Sequence, residues 1–233
     1  MKKNYVGLLK FGQKEHMDAF FNNGEVYLNP FDYFKKLEDT GDGRADACEY
    51  LFSLYSGTGI ENLQLTIKPS DGKAFNPIIL NKNSLASVKL ECSDKKYSHL
   101  FCLSAVDVDW TQQNKQLVDR RNVATGKDWV VFIKNPNAFR DRLFEYFRLH
   151  NLSAEAHFIE YIDPENHCGD MGCFKKFNTY AYQNEWRVAV RYEDTTKHRK
   201  IILGSLADIA YEPVYAPDLY SGPVDIVVNE VKK

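Results

Sequence analysis

The sequence lacks every motif that announces a common catalytic machine. It has no G-x-x-x-x-G-K-[ST] phosphate loop, no G-x-G-x-x-G after a strand, no G-x-S-x-G elbow and no H-E-x-x-H pair. P-loop ATPase, Rossmann dehydrogenase, α/β-hydrolase and zincin readings therefore fall away. No stretch approaches the roughly 20 apolar residues of a bilayer-spanning helix. Behind the basic start Met1-Lys2-Lys3, residues Lys10, Gln13, Lys14 and Glu15 interrupt any apolar run, so no secretory signal is expected. Cysteine is scarce and odd in number. Cys48, Cys92, Cys102, Cys168 and Cys173 sit at irregular spacings, which predicts free thiols in a reducing cytoplasm rather than a disulfide framework. Charge of either sign is not in excess. With 30 Lys and Arg against 32 Asp and Glu, a global basic field for coating a polyanion is excluded, and only a local basic groove remains open. There is no internal repeat, low-complexity tract or Pro/Ser linker, so one continuous domain over residues 1–233 is expected.

Aromatic bulk is abundant. The chain holds 15 Phe and 14 Tyr, and each large ring can bury roughly 150–250 Å², enough for a sizeable core. Residues 5–11 read as a strand that Gly12 breaks. Met17, Phe20 and Phe21 recur at helical spacing over residues 13–22, and Asn23-Gly24 is a C-terminal stop. A short strand over 25–28 ends at Asn29-Pro30, a helical turn or two follows from Phe31, and Asp and Gly make 38–46 a polar loop. Strands are expected at 50–55, 63–68, 77–80, 86–91, 99–104 and 129–133. Pro136 opens the clearest helix, whose broad face carries Phe139, Leu143, Phe144 and Phe147. The last third predicts strands at 156–162, 179–182, 185–192, 200–203, 209–215 and 225–228. In the third of these, Trp186, Val188 and Val190 alternate with Glu185, Arg187 and Ala189. The class is α+β, with a mainly antiparallel sheet and a few helices.

Several weaker constellations could carry chemistry. Lys10 and Gly12 close the first strand beside a helix, where a point charge and an unhindered backbone could receive a phosphate; the alternative is a surface lysine and a turn. Glu185 and Arg187 share a strand face, where a carboxylate could orient a sugar hydroxyl or stabilise a cationic transition state. Their alternative is a salt bridge worth under about 1 kcal/mol. Ser104 ends a buried strand, where its hydroxyl could touch a ligand or simply start a turn. Asp39, Asp42, Asp46 and Glu49 could hold Mg²⁺ or Ca²⁺ through oxygen, but they lack the spacing of a calcium loop and otherwise form a solvated turn. His167, Cys168 and Cys173 offer three of the four ligands that structural zinc needs, or a glycine-rich surface loop.

The order of these pieces carries a resemblance. The Lys10-Phe11-Gly12 strand, Tyr27-Leu28-Asn29-Pro30 with Phe31-Asp32-Tyr33-Phe34 behind it, Cys102-Leu103-Ser104 and Gln183-Asn184-Glu185-Trp186-Arg187 occur together. The set resembles a broad uncharacterised group of bacterial and phage proteins found near defence or toxin genes. Their layout is similar to the ADP-ribosyltransferase fold, a split β-sheet that clamps NAD in its cleft. The resemblance implies that Lys10 meets the phosphates, Ser104 shapes the nicotinamide pocket, and Gln183 and Glu185 form a Gln-x-Glu pair. Glu185 would then assist attack at the nicotinamide ribose. Phe11, Tyr27 and Tyr33 are expected to stack a ring of the dinucleotide, with Gly12 and Asn29 beside them and Arg187 opposing the charge of Glu185. The acceptor of ADP-ribose would be a protein side chain, a nucleic-acid base or water, in a bacterial or phage conflict system. This chain carries Lys10 where the family has arginine, and Ala105-Val106 after Ser104 where the family continues Ser-Thr-Ser.

Two other classes compete. A metal-dependent nuclease would use the acidic loop, or Asp107 and Asp109, and would stop in EDTA. A non-enzymatic inhibitor or binding module would grip a partner through its many tyrosines and would tolerate Glu185→Gln.

Overall fold

The computed structural model describes residues 5–31, 33–34, 51–56, 62–65, 76–81, 87–91, 96–107, 119–123 and 127–219. In chain order the strands are β1 (Tyr5–Gly12), β2 (Glu25–Pro30), β3 (Leu51–Ser56), β4 (Asn62–Leu65), β5 (Ile78–Asn81), β6 (Ser87–Glu91), β7 (His99–Asp107) and β8 (Trp129–Ile133). They continue with β9 (Ala154–Phe158), β10 (Glu160–Ile162), β11 (Cys168–Asp170), β12 (Lys175–Phe177), β13 (Glu185–Val190), β14 (Arg199–Ile202) and β15 (Val214–Tyr215). Two helices are described from end to end, α1 (Lys14–Asn23) and α2 (Pro136–Leu149), with short 3₁₀ turns between elements; Phe31, Tyr33 and Phe34 are also helical. The result is a mixed α and β protein, mostly antiparallel.

The residues divide into two compact units. The first gathers Met1–Ala45, Tyr97–Phe158 and Tyr182–Lys233; the second is Asp46–Lys96 with Ile159–Ala181.

The first unit is organised around β7. One edge of β7 is paired antiparallel with β13 from His99 to Ser104, and β13 with β9. The other edge is shared. β1 pairs with it from Ser104 to Asp107, and β2 only at His99 and Leu100. The sheet therefore forks at Phe101–Leu103, one branch running β1-β8-β15 and the other β2-β14. Strand alternation sends Leu8, Val26, Leu28, Phe101, Leu103, Val131, Trp186 and Val188 to one face, the main core. Met17, Phe20 and Phe21 of α1 and Phe139, Leu143 and Phe147 of α2 cover that face. The expected stripe of α1 is buried, as is that of α2 apart from Phe144, which is half-buried at the margin of the core. In α2, Pro136 occupies the first turn and the Asn135 side chain accepts a hydrogen bond from the Ala138 N–H at 3.1 Å, a cap that the sequence order allows.

Helix α1 stops because Gly24 adopts φ +64° and its N–H returns to the Phe20 carbonyl at 3.0 Å. A Cβ at Gly24 would also collide with the Gly204 carbonyl oxygen. Gly24→Ala is therefore expected to cost more than about 1 kcal/mol, read as a lower urea midpoint with an unchanged slope.

At the other end of β7, His99 is fully buried. Its Nε2–H donates to the Lys197 carbonyl at 2.7 Å, and Nδ1 lies 2.9 Å from the Ser98 hydroxyl. Ser98 Oγ in turn accepts the Tyr192 N–H at 2.8 Å, tying the β13–β14 connection to the start of β7. Burial pushes the His99 imidazole below its ordinary range; the Lys197 carbonyl and Asp194 oppose that shift, and Arg199 adds to it. The unfolded imidazole takes up a proton near pH 6.5 and the folded one resists. The His99 contribution to stability is thus complete above about pH 6.5 and is lost as pH falls through the folded value. Denaturant unfolding between pH 7.5 and 5 should show this decline in the wild type, and His99→Gln should flatten it.

The second unit has an antiparallel sheet in the order β11-β3-β6, the antiparallel ribbon β4-β5 and the parallel pair β10-β12. Among its described residues, Leu54, Ile162 and Met171 are buried together, with Phe177 packed against them.

Three expectations change. Residues 179–182, expected as a strand, lie in a 3₁₀ turn over Asn178–Gln183, despite their two tyrosines. Of 209–215 only Val214 and Tyr215 are strand, because Pro213 offers no N–H for a ladder. The expected strand over 156–162 breaks after Phe158 into β9 and β10. The strand expected at 225–228 lies outside the described residues.

Candidate functional site

The candidate residues converge through strand register. Ser104 on β7 stands opposite Leu9 of β1 on one side and Glu185 of β13 on the other. Directly opposed antiparallel residues share a sheet face, with Cα atoms about 4.5–5.5 Å apart. Ser104 and Glu185 are therefore neighbours on the face away from the helices. Alternation adds Cys102, Arg187, Leu9 and Phe11 to that face, and the pairing of Asn29 with Leu100 adds Asn29 and Tyr27.

On this face Arg187 Nε donates to Glu185 Oε1 at 2.7 Å. The Arg187 side chain is 0% exposed and that of Glu185 7%. The pair is the one expected from the strand pattern, but the estimate of under about 1 kcal/mol applies only to exposed pairs. Here desolvation and Coulomb attraction are both large, and removing either partner is costly. Arg187 is fully buried, and this bond fixes the direction of the Glu185 carboxylate.

Lys10 behaves differently. It alternates with Leu9 and so lies on the core face, opposite to Ser104 and Glu185. Its ammonium sits 4.6 Å from the centroid of Phe101 and donates to the Cys102 carbonyl at 3.1 Å. That contact falls in the Phe101–Leu103 interval where the sheet forks, and the lysine serves a backbone carbonyl there. Gly12 is buried as well. A Cβ at this position would meet Met17 Cε at 2.7 Å, so its missing side chain makes room for α1.

The remaining candidates lie further out. Phe11 is half-buried against a small second cluster of Leu9, Val106, Val130 and Ala216. Tyr27 is exposed, its ring 6.3 Å from that of His16 and 6.4 Å from that of His198. Asn29 is half-buried, and the exposed Tyr33 meets Phe34 edge-on at 5.5 Å. Gln183 is buried at the end of its 3₁₀ turn.

A residue to which the sequence motif assigned no role holds this corner together. Asn184 adopts a left-handed backbone, φ +40°. Its carbonyl accepts the Ala105 N–H at 2.7 Å and its Nδ2 donates to the Ala105 carbonyl at 2.7 Å. Two residues before it, the Tyr182 carbonyl accepts from Asn122 Nδ2 at 3.2 Å. The Tyr182 ring carries the Arg121 guanidinium at 4.3 Å, and Asp119 grips that guanidinium through both carboxylate oxygens. The local signal for Asn184 was its residue type, since asparagine tolerates the left-handed region better than most. Nothing local pointed to Asn122 or Arg121.

The acidic loop of Asp39, Asp42, Asp46 and Glu49 lies outside the described residues, as does Asp109. Asp107 ends β7 opposite Tyr5. Among the described residues no group of three or more His, Cys, Asp or Glu side chains could hold a metal ion. His167 Nε2 is instead 3.3 Å from the Asp170 carbonyl, and the Cys168 thiol points to the Ser56 carbonyl at 3.8 Å. No helix among the described residues is long and apolar enough to cross a membrane. No family model, no curated protein and no solved structure matches the chain.

Proposed function

We propose that the first unit is an ADP-ribosyltransferase-like catalyst that binds NAD against the Ser104–Glu185 face. It transfers ADP-ribose to a protein or nucleic-acid acceptor, or to water, in a bacterial or phage conflict system. The observation that carries this reading is the register placing Ser104 directly beside Glu185 on a sheet that forks between β1 and β2. A forked, mainly antiparallel sheet supports an ADP-ribosyltransferase-like layout.

The chemistry follows from that pair. Breaking the nicotinamide glycosidic bond builds positive charge on the ribose, and a fixed carboxylate nearby stabilises it. Nicotinamide leaves with the bonding electron pair, which neutralises its ring nitrogen. A lone pair of the acceptor forms the new bond to the ribose carbon, and the acceptor releases its proton. Glu185 is pre-oriented for this role by Arg187, and Ser104 supplies a hydroxyl alongside. The residues fit the ribose end of NAD. They fit the phosphates less well, because Lys10 faces the core and its ammonium is engaged with Cys102.

Thermal unfolding with NAD⁺ tests the proposal. Ligand at about 100 times its dissociation constant adds roughly 2.7 kcal/mol, several degrees for a chain of this size. The wild type should shift and release nicotinamide. Glu185→Gln keeps an oxygen for Arg187 and should bind NAD⁺ without releasing nicotinamide. A wild type that shows no shift at millimolar NAD⁺ ends the proposal. It would turn attention to the exposed Tyr27, Tyr33, Tyr211 and Tyr215 as parts of a partner-binding surface.

A further inference from the structure

We infer that Asn184 is a positioning residue for Glu185, setting how far the carboxylate reaches beside Ser104. The inference rests on the NAD reading above and adds a residue to it. Three observations carry it. The chain must turn from the 3₁₀ segment into β13 within one residue, and Asn184 makes that turn in the left-handed region. The same residue bonds both backbone groups of Ala105, the neighbour of Ser104, one through its carbonyl and one through its side-chain amide. Two residues earlier, Tyr182 is tethered by Asn122 and stacked by Arg121, so the turn is held at both ends.

The consequence is geometric. The distance between the Ser104 hydroxyl and the Glu185 carboxylate depends on the register of β13 against β7. The last anchor of that register is the Asn184–Ala105 clasp. The clasp uses no group that binds substrate, so loosening it should alter the rate of the chemical step while leaving the dinucleotide's contacts in place. A shift of about 1 Å at a reacting group can cost up to a hundred-fold in rate.

Asn184→Gly is the discriminating variant. Glycine accepts φ +40° and retains the carbonyl bond to the Ala105 N–H, while the side-chain bond to the Ala105 carbonyl is lost. Nicotinamide release and NAD⁺ affinity are measured on wild type and variant, each corrected for the folded fraction. The expected result is a kcat reduced about ten-fold or more with the NAD⁺ dissociation constant within about two-fold. Asn184→Asp, which presents an acceptor to the Ala105 carbonyl, should be slower than Asn184→Gly. Unchanged kcat in both variants overturns the inference and leaves the NAD reading standing. A wild type that neither binds nor cleaves NAD⁺ overturns both. A lower melting temperature with normal kcat marks Asn184 as structural only, and also overturns it.

Discussion

Replacing Arg187 by methionine should destabilise the chain by about 3–5 kcal/mol, the range for breaking a buried ion pair by deleting one partner. Arg187 is completely buried and its Nε bonds Glu185 at 2.7 Å. Methionine matches the aliphatic part of the side chain, so the loss is mainly electrostatic: the Glu185 carboxylate stays in the sheet without its guanidinium. The control is the double variant Glu185→Leu/Arg187→Met. An apolar pair of similar volume commonly equals or exceeds a buried ion pair in stability, so the double variant should recover most of the loss. Urea unfolding of the two singles and the double forms a cycle whose coupling energy should exceed about 1 kcal/mol. Arg187→Met unfolding within 1 kcal/mol of wild type would show that the pair is not desolvated as described.

The second large effect lies in the helix layer. Phe139→Ala is expected to cost about 3–5 kcal/mol, as for other fully buried phenylalanines. Phe139 is fully buried where α2 meets the core face of β7. Its ring stands edge-on to Phe20 of α1 at 5.9 Å and lies 6.2 Å from Phe101 of β7. Truncation therefore opens a cavity at the junction of both helices and the central strand, and the two remaining rings, Phe20 and Phe101, cannot both collapse into it. Phe144→Ala is the comparison. Phe144 is on the same helix but only half-buried, at the margin of the core, and its truncation should cost clearly less. Equal losses for the two variants in urea unfolding would contradict the packing described.

Much of the first unit was legible in the sequence because its signals are local. The spacing of Met17, Phe20 and Phe21, the Gly24 stop and the Pro136 start are properties of a few consecutive residues, and the two helices follow them. The alternation from Glu185 to Val190 likewise predicted that Glu185 and Arg187 share a face against Trp186 and Val188. Where local signals conflict, tertiary context decides the outcome. Tyr180 and Tyr182 favour strand by propensity, but the chain must reverse at Asn184, and a 3₁₀ turn prevails. Pro213 similarly overrides the β-branched and aromatic residues around it.

The candidate site divides along the same line. The amino-acid sequence by itself determined which side chains could serve: a serine ending one strand, a carboxylate and a guanidinium two apart on another, and a lysine ending the first. It also determined each one's place in its own strand's alternation. Only the tertiary structure decided that β7 lies between β1 and β13, which sets Glu185 beside Ser104 and turns Lys10 to the opposite face. It alone decided that the Glu185–Arg187 pair is buried, and that Asn184 clasps Ala105. The physical reason is that strand pairing joins backbone groups far apart in the chain. Any extended segment offers the same donors and acceptors, so the choice of partner and register comes from how all the apolar faces are buried together.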